Sequence, residues 1–236
     1  MKYLLLFDID GTILLMKKRI SRLVFSQMLK LMFGKDVPVS AMPNFAGMTD
    51  LQILRKIAEN TNIDFIDINN SLEDIWLSLA DVFAPYCTPQ YIDLMPGIIE
   101  LIERISLMPE IQLGLLTGNF KKHAYLKLKS YNIDHFFPVG AFGCDHENRN
   151  ILPPLAINRA NEYAGQEIYN ISNTLIIGDT PRDIECAKIN NIPVLAVATG
   201  PFSKIDLSNY APEIILDDLS DLDKSLDSIF RLLKLP

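Results

Sequence analysis

Apolar runs and helical periodicities alternate along most of the chain. Runs that are apolar, partly β-branched and bounded by turn residues predict strands over 3–9, 111–116, 139–142, 174–177, 193–198 and 213–216. Helical patterns lie between them, over 97–106, 120–130, 153–164, 181–190 and 219–233. In the first of these, Ile98, Ile99, Leu101, Ile102 and Ile105 make one apolar face. Strands that are apolar throughout have no face to give to water, so they predict a parallel sheet covered by helices on both sides. One stretch breaks the alternation. From 17 to about 94 nothing reads as a strand, and helical patterns over 20–33, 50–60 and 72–83 follow one another. The expected class is α/β: a Rossmann-like, doubly wound parallel sheet built from 1–16 and 95–236, with an α-helical cap domain, 17–94, inserted after the first strand. Pro96-Gly97 marks the return to the sheet. There is no internal repeat or low-complexity tract.

Ligands of such sheets bind at the carboxyl ends of the strands. Asp8, Asp10, Gly11 and Thr12 follow the first strand; Thr117, Gly118 and Asn119 follow "IQLGLL"; Asp179 follows "TLIIG", with Asp183 one helical turn later. Any one of these groups fits an ordinary turn. Together they bring four carboxylates and a threonine to one edge. Clustered carboxylates raise one another's pKa values unless a cation lies among them, and a set of hard oxygen ligands suits Mg²⁺. Asp8 and Asp10 stand at i and i+2, a spacing that puts both on one face of a regular strand.

Charge adds a constraint. The 236-residue chain carries a net charge of −7 and no basic run, which argues against nucleic acid and anionic membrane surfaces as partners. An anionic substrate must then be attracted locally, by a metal or a few cations. Cys87, Cys144 and Cys186 are odd in number and lack CxxC spacing, so reduced thiols are expected rather than a disulfide framework or a zinc site. The apolar run before Asp8 is short for a signal peptide and far too short to span a bilayer; a cytoplasmic location is expected.

The stretches "DIDGT", "LTGN" and "GDTPRDIECA", in this order and spacing, resemble the haloacid dehalogenase superfamily. The late "NIPVLAVATG" and "LSNYAPEIILDDLSDL" are similar to its phosphoglycolate phosphatase-like branch, which has a helical cap. The resemblance covers essentially the whole chain. It implies a Mg²⁺-dependent phosphatase acting on a small phosphorylated metabolite, as a monomer or homodimer. Asp8 would be the nucleophile that forms an aspartyl-phosphate, and Asp10 the general acid and base. Thr117 would bind a phosphate oxygen, with Gly118 and Asn119 beside it. The Asp8 carboxylate, the Asp10 backbone carbonyl and Asp179 would hold Mg²⁺, with Asp183 supporting the metal or its waters.

The chain departs from the family at one point. The usual Lys before the last motif is missing from "GCDHENRNILPPLAINRA", and Arg149 is assigned its catalytic and phosphate-binding role. His146 is expected to be exposed, and His123 and His135 to be structural. Thr49 or Asp50 is expected to cap a helix, and Met42, Phe45, Met48 and Trp76 to fill the cap's own core. Lys17, Lys18 and Arg19 read as a solvated turn near the hinge, the competing reading being a group that attracts an anion.

Other functions remain in view. A phosphomutase keeps both aspartates. A 2-haloacid dehalogenase has no use for Asp10 or Asp179, and a phosphonatase needs a cap lysine that the sequence does not place. A non-catalytic phosphate-binding protein on this scaffold is expected to lack Asp8. A dinucleotide-binding oxidoreductase needs a GxGxxG after the first strand, which is absent.

Overall fold

The computed structural model describes every residue except Met1, Lys18, Asn62 and Pro236; the reading of Lys18 as part of a solvated turn lies outside the described residues. The elements in chain order are β1 (Tyr3–Phe7), β2 (Leu14–Met16), α1 (Ile20–Phe33), α2 (Asp50–Glu59), α3 (Phe65–Asn70), α4 (Leu72–Phe83), β3 (Ile92–Leu94), α5 (Ile98–Ser106), β4 (Ile111–Leu116), α6 (Lys121–Lys129), β5 (Val139–Ala141), α7 (Leu152–Ala164), β6 (Thr174–Gly178), α8 (Pro181–Ile189), β7 (Val194–Val197), α9 (Lys204–Ser208), β8 (Ile214–Leu216) and α10 (Leu222–Leu233).

Six strands form one parallel sheet in the order β5-β4-β1-β6-β7-β8. The Rossmann-like α/β class predicted from the apolar runs is the class observed. Strand β1 lies in the middle, and its two-residue period divides it between two cores. Leu5 and Phe7 join one, with Ile102, Leu226 and Ile229; Leu4 and Leu6 join the other, with Ala156, Ile184 and Ala187. The chain passes from β1 to β4 and β5 on one side, then returns to β6, β7 and β8 on the other. The winding therefore reverses at β1, and the crevice beyond its carboxyl end is where such a sheet binds ligands.

Helices α1 to α4 lie between β2 and β3, as the helical stretch of the sequence predicts. The segment is not purely helical. Its two ends pair as an antiparallel ribbon, with Leu14 opposite Leu94 and Met16 opposite Ile92. Strands of three residues show no period, and pairing between segments far apart in the chain leaves no local signal. The short helices α3 and α9 are likewise additions to the predicted set. Among the described residues, no helix is long and apolar enough to cross a membrane. Cys87, Cys144 and Cys186 are free thiols.

Candidate active site

Asp8 is the first residue past β1, and its N–H donates to the Ile177 carbonyl at 2.9 Å, the last rung toward β6. The chain then turns sharply, with the N–H groups of Ile13 and Leu14 donating to the Ile9 carbonyl. Gly11 sits at φ +95°, and a Cβ there would lie 2.3 Å from Asp179 Oδ2. Only glycine meets both demands. Asp8 and Asp10 thus stand just beyond the strand rather than within it, and both line one cavity of about 840 Å³.

Thr117, Gly118 and Asn119 follow β4 and line the same cavity. The Thr117 hydroxyl oxygen accepts from Asn119 Nδ2 at 2.8 Å, which leaves its proton for a phosphate oxygen. Asn119 Nδ2 also donates to Asp10 Oδ2 at 2.7 Å. The remaining partner of Asp10 is Lys127 on α6, whose Nζ lies 2.7 Å from both carboxylate oxygens and 2.8 Å from Asn119 Oδ1. Lys127 is buried, with 2% of its surface exposed. The sequence reading missed it. Four lysines stand on α6, at 121, 122, 127 and 129, and Lys127 is indistinguishable from a solvated one until its spacing is considered. It lies four residues after His123 and eight after Asn119, on the helix face turned to the site.

Arg149 opens a short 3-10 helix, Arg149–Ile151, that leads into α7. It is buried, and one nitrogen, Nη2, makes three contacts: 3.2 Å to Asp8 Oδ1, 2.5 Å to Asp183 Oδ1 and 3.0 Å to the Leu116 carbonyl. Burial opposes its charge, but Asp183 and Asp8 outweigh that and strengthen the hold on its proton. Asp183 lies behind Arg149. Its Oδ2 accepts from the Thr180 N–H at 3.0 Å and hydroxyl at 2.7 Å at the start of α8. Gly178 leaves room for this packing, since a Cβ there would lie 2.3 Å from the Asp183 carboxyl carbon.

Asp8, Asp179 and Asp183 each offer an oxygen within 4.8 Å of the others. With one guanidinium among them, three ionised carboxylates leave two negative charges in excess. Burial, helped by Asp183 and Asp10 and opposed by Arg149, pushes the Asp8 carboxyl up to about 6. Asp179 is pushed well above the usual carboxylate range by burial and by Asp8 and Asp183. Asp179 Oδ1 accepts from the Thr12 hydroxyl at 3.0 Å, whereas its buried Oδ2 has no partner among the described residues. Gly11 and Gly200 crowd against that oxygen, where a Cβ would lie 2.3 and 1.7 Å away. An orphaned buried oxygen, an oxygen-only donor set and an excess of two negative charges fit a divalent cation such as Mg²⁺. The Asp10 carboxylate is directed to Lys127 and Asn119, so only its backbone carbonyl remains as a possible ligand.

The helical insert closes over this edge. Thr49 caps α2 in a capping box with Gln52. The next residue, Asp50, donates its N–H to the Gly118 carbonyl at 2.8 Å and accepts from the Phe120 N–H at 2.8 Å. Arg55 forks onto Glu147 at 2.6 and 2.7 Å. Glycine permits the approach: a Cβ on Gly118 would lie 2.1 Å from the Met48 carbonyl oxygen. Trp76 stacks on Phe120 with ring centres 5.1 Å apart, and Phe83 covers His123. His123 is buried in the cavity wall with neither nitrogen hydrogen-bonded among the described residues, Nδ1 lying 4.0 Å from Asp50 Oδ2, and burial holds it neutral, well below its usual pKa. His135 and His146 are exposed. Phe45 and Met48, expected inside the cap core, pack against it half-buried and also line the cavity.

Burial pushes the Asp50 carboxyl up to about 7, against the pull of the Phe120 N–H and Lys127. A carboxyl whose pKa is raised by folding stabilises the fold below its unfolded value near 3.8, and that contribution is lost as the pH rises through about 7. Asp50→Asn keeps an oxygen for the Phe120 N–H and removes the titration. Thermal unfolding midpoints at pH 5 and pH 8 should therefore differ less in the variant than in the wild type. An equal difference in both proteins overturns the assignment.

A family model for haloacid dehalogenase-like hydrolases matches residues 5–197. No curated protein matches the sequence. Among solved structures, a hydrolase from Pseudomonas syringae is similar over 97% of this chain and 99% of its own, with 19% identity and a TM-score of 0.70. A predicted phosphoglycolate phosphatase from Haemophilus somnus is similar over 94% and 97%, with 18% identity and a TM-score of 0.67. A β-phosphoglucomutase from Clostridium difficile is similar over 99% and 98%, with 17% identity and a TM-score of 0.71. At these identities the likeness is one of fold.

Proposed function

The chain belongs to the haloacid dehalogenase-like hydrolase family, and from that premise we propose that it is a Mg²⁺-dependent phosphatase of small phosphate monoesters, with Asp8 as the nucleophile. The observation that carries the reading is the placement of Asp8 and Asp10 on one cavity, each beside a different buried cation, Arg149 and Lys127. An Asp8 oxygen attacks phosphorus, the bond to the leaving oxygen breaks, and the phosphoryl group rests on Asp8. Asp10 gives a proton to the leaving oxygen, then takes one from the water that releases phosphate. Lys127 and Asn119 aim the Asp10 carboxyl, while the Thr117 hydroxyl and Arg149 face the charge of the transferring group. Asp8, the Asp10 carbonyl and Asp179 would hold Mg²⁺, with Asp183 behind them; when bound, the ion supplies positive charge to the phosphoryl oxygens. The insert acts as a cap that excludes bulk water and selects the leaving group. A phosphomutase shares the first half-reaction and differs in the acceptor of the phosphoryl group.

Metal binding can be measured without turnover. Mg²⁺ should raise the thermal unfolding midpoint of the wild type in a concentration-dependent way. Asp179→Asn should abolish that rise, and chelator should stop ester hydrolysis until Mg²⁺ is restored. Equal rises in both proteins, or full hydrolysis in chelator, contradict the metal assignment.

A further inference from the structure

Two groups hold the Asp10 carboxyl, Asn119 and Lys127, and both hang on one stretch of backbone. Asn119 stands in the loop after β4, and Lys127 stands on α6, into which that loop leads. Asn119 is gripped through the peptide groups on either side of it. The Gly118 carbonyl accepts from the Asp50 N–H at 2.8 Å, and the Phe120 N–H donates to Asp50 Oδ2 at 2.8 Å. One buried residue of the insert thus brackets Asn119 with main chain and side chain together. From the other side, the Gly143 N–H donates to the Asn119 carbonyl at 2.8 Å. The three segments meet at bare backbone: a Cβ on Gly143 would overlap the Gly118 carbonyl oxygen and lie 3.1 Å from the Asp50 nitrogen.

The same carboxyl group begins α6. Phe120 is the N-cap residue of this helix and has no polar side chain, and no acid stands in the first turn. In a capping box the residue three positions on accepts from the N-cap N–H. Here that residue is His123, whose nitrogens have no hydrogen-bond partner among the described residues. Asp50 supplies the acceptor from outside the helix. Lys127 follows about two turns further on, and another residue of the insert, Phe83, covers its ammonium with the ring centre 5.9 Å from Nζ. The nucleophile's side of the site is supported differently. Among the described residues, the hydrogen bonds and ion pairs of Asp8, Arg149 and Asp183 all go to groups outside the insert.

We propose that Asp50 is a positioning residue for proton transfer: by fixing Asn119 and the start of α6, it aims the Asp10 carboxyl at the leaving oxygen when the insert is seated. The nucleophile keeps its own supports without it. The inference rests on the phosphatase reading, in which Asp10 protonates the leaving group.

Two esters of similar size separate proton delivery from the rest of the reaction. p-Nitrophenolate departs without a proton, whereas the alkoxide of benzyl phosphate needs one. The ratio kcat/KM covers the steps up to departure of the leaving group and omits the later release of phosphate. On full-length protein in Mg²⁺, Asp50→Ala should lower kcat/KM for benzyl phosphate at least about tenfold more than for p-nitrophenyl phosphate. Misfolded protein lowers both rates alike and cancels from this comparison. Asp50→Asn keeps an acceptor for the Phe120 N–H and should recover most of the selective loss. Equal losses for the two esters in Asp50→Ala overturn the inference and leave the phosphatase reading standing. A selective loss as deep in Asp50→Asn as in Asp50→Ala also overturns it. Folded wild-type protein that hydrolyses neither ester refutes the phosphatase reading, and the inference with it.

Discussion

Asp8→Asn should reduce hydrolysis of phosphate monoesters by at least about 10⁴-fold, because an amide cannot take the phosphoryl group and no neighbouring carboxylate occupies its place. The variant should fold well. Asp8 is buried, and in the metal-free protein its carboxyl is pushed up to about 6, chiefly by that burial. A neutral group of the same shape removes the burden. Above pH 6 the metal-free variant should therefore unfold at the same temperature as the wild type or higher. Turnover of p-nitrophenyl phosphate and thermal unfolding, measured on one preparation, separate lost chemistry from lost structure. Substantial turnover by a folded Asp8→Asn protein contradicts the assignment.

Arg149→Ala should damage both stability and rate. Among the described residues it removes the one cation that touches Asp8 and Asp183, and it leaves two buried carboxylates without it. Breaking a buried ion pair from one side costs about 3–5 kcal/mol, readable as a lower urea midpoint. Loss of a charge facing the transferring phosphoryl group should lower kcat by about 10²–10³-fold. Arg149→Lys offers a sharper comparison. The Asp8, Asp183 and Leu116 contacts all come from Nη2, so a single ammonium nitrogen can replace much of the arrangement. The lysine variant should exceed the alanine variant in rate. Equal rates for the two, or an unchanged rate for Arg149→Ala, assign the charge to another group.

The residues that reach this site differ in how openly the sequence announces them. The apolar run into Asp8 is legible because a strand buried on both faces leaves no polar position until it ends. Thr49 is legible as a cap because Gln52 completes the box with it. Arg149 is legible through a missing lysine, and it lies 3.2 Å from Asp8. Lys127 is not, because a lysine on a lysine-rich helix carries no mark of burial; its meaning comes from Asp10, which is distant in the chain. The pairing of β2 with β3 and the latch from Asp50 to Gly118 and Phe120 are equally non-local. Phe45 and Met48 read as cap core, against which they do pack, but the sequence does not show that they also line the cavity. Which wall they line depends on how the insert is seated, and no local pattern encodes that.

Covalent capture of the phosphoryl group tests the central claim most directly. The wild-type protein is mixed with a phosphate monoester and Mg²⁺, quenched within the first turnovers, reduced with borohydride and digested, and the peptide containing Asp8 is analysed by mass spectrometry. An aspartyl-phosphate at Asp8 is reduced to homoserine, and that conversion is the predicted result, absent when the ester is omitted. Hydrolysis with Asp8 unmodified, or with the label on another residue, contradicts the account.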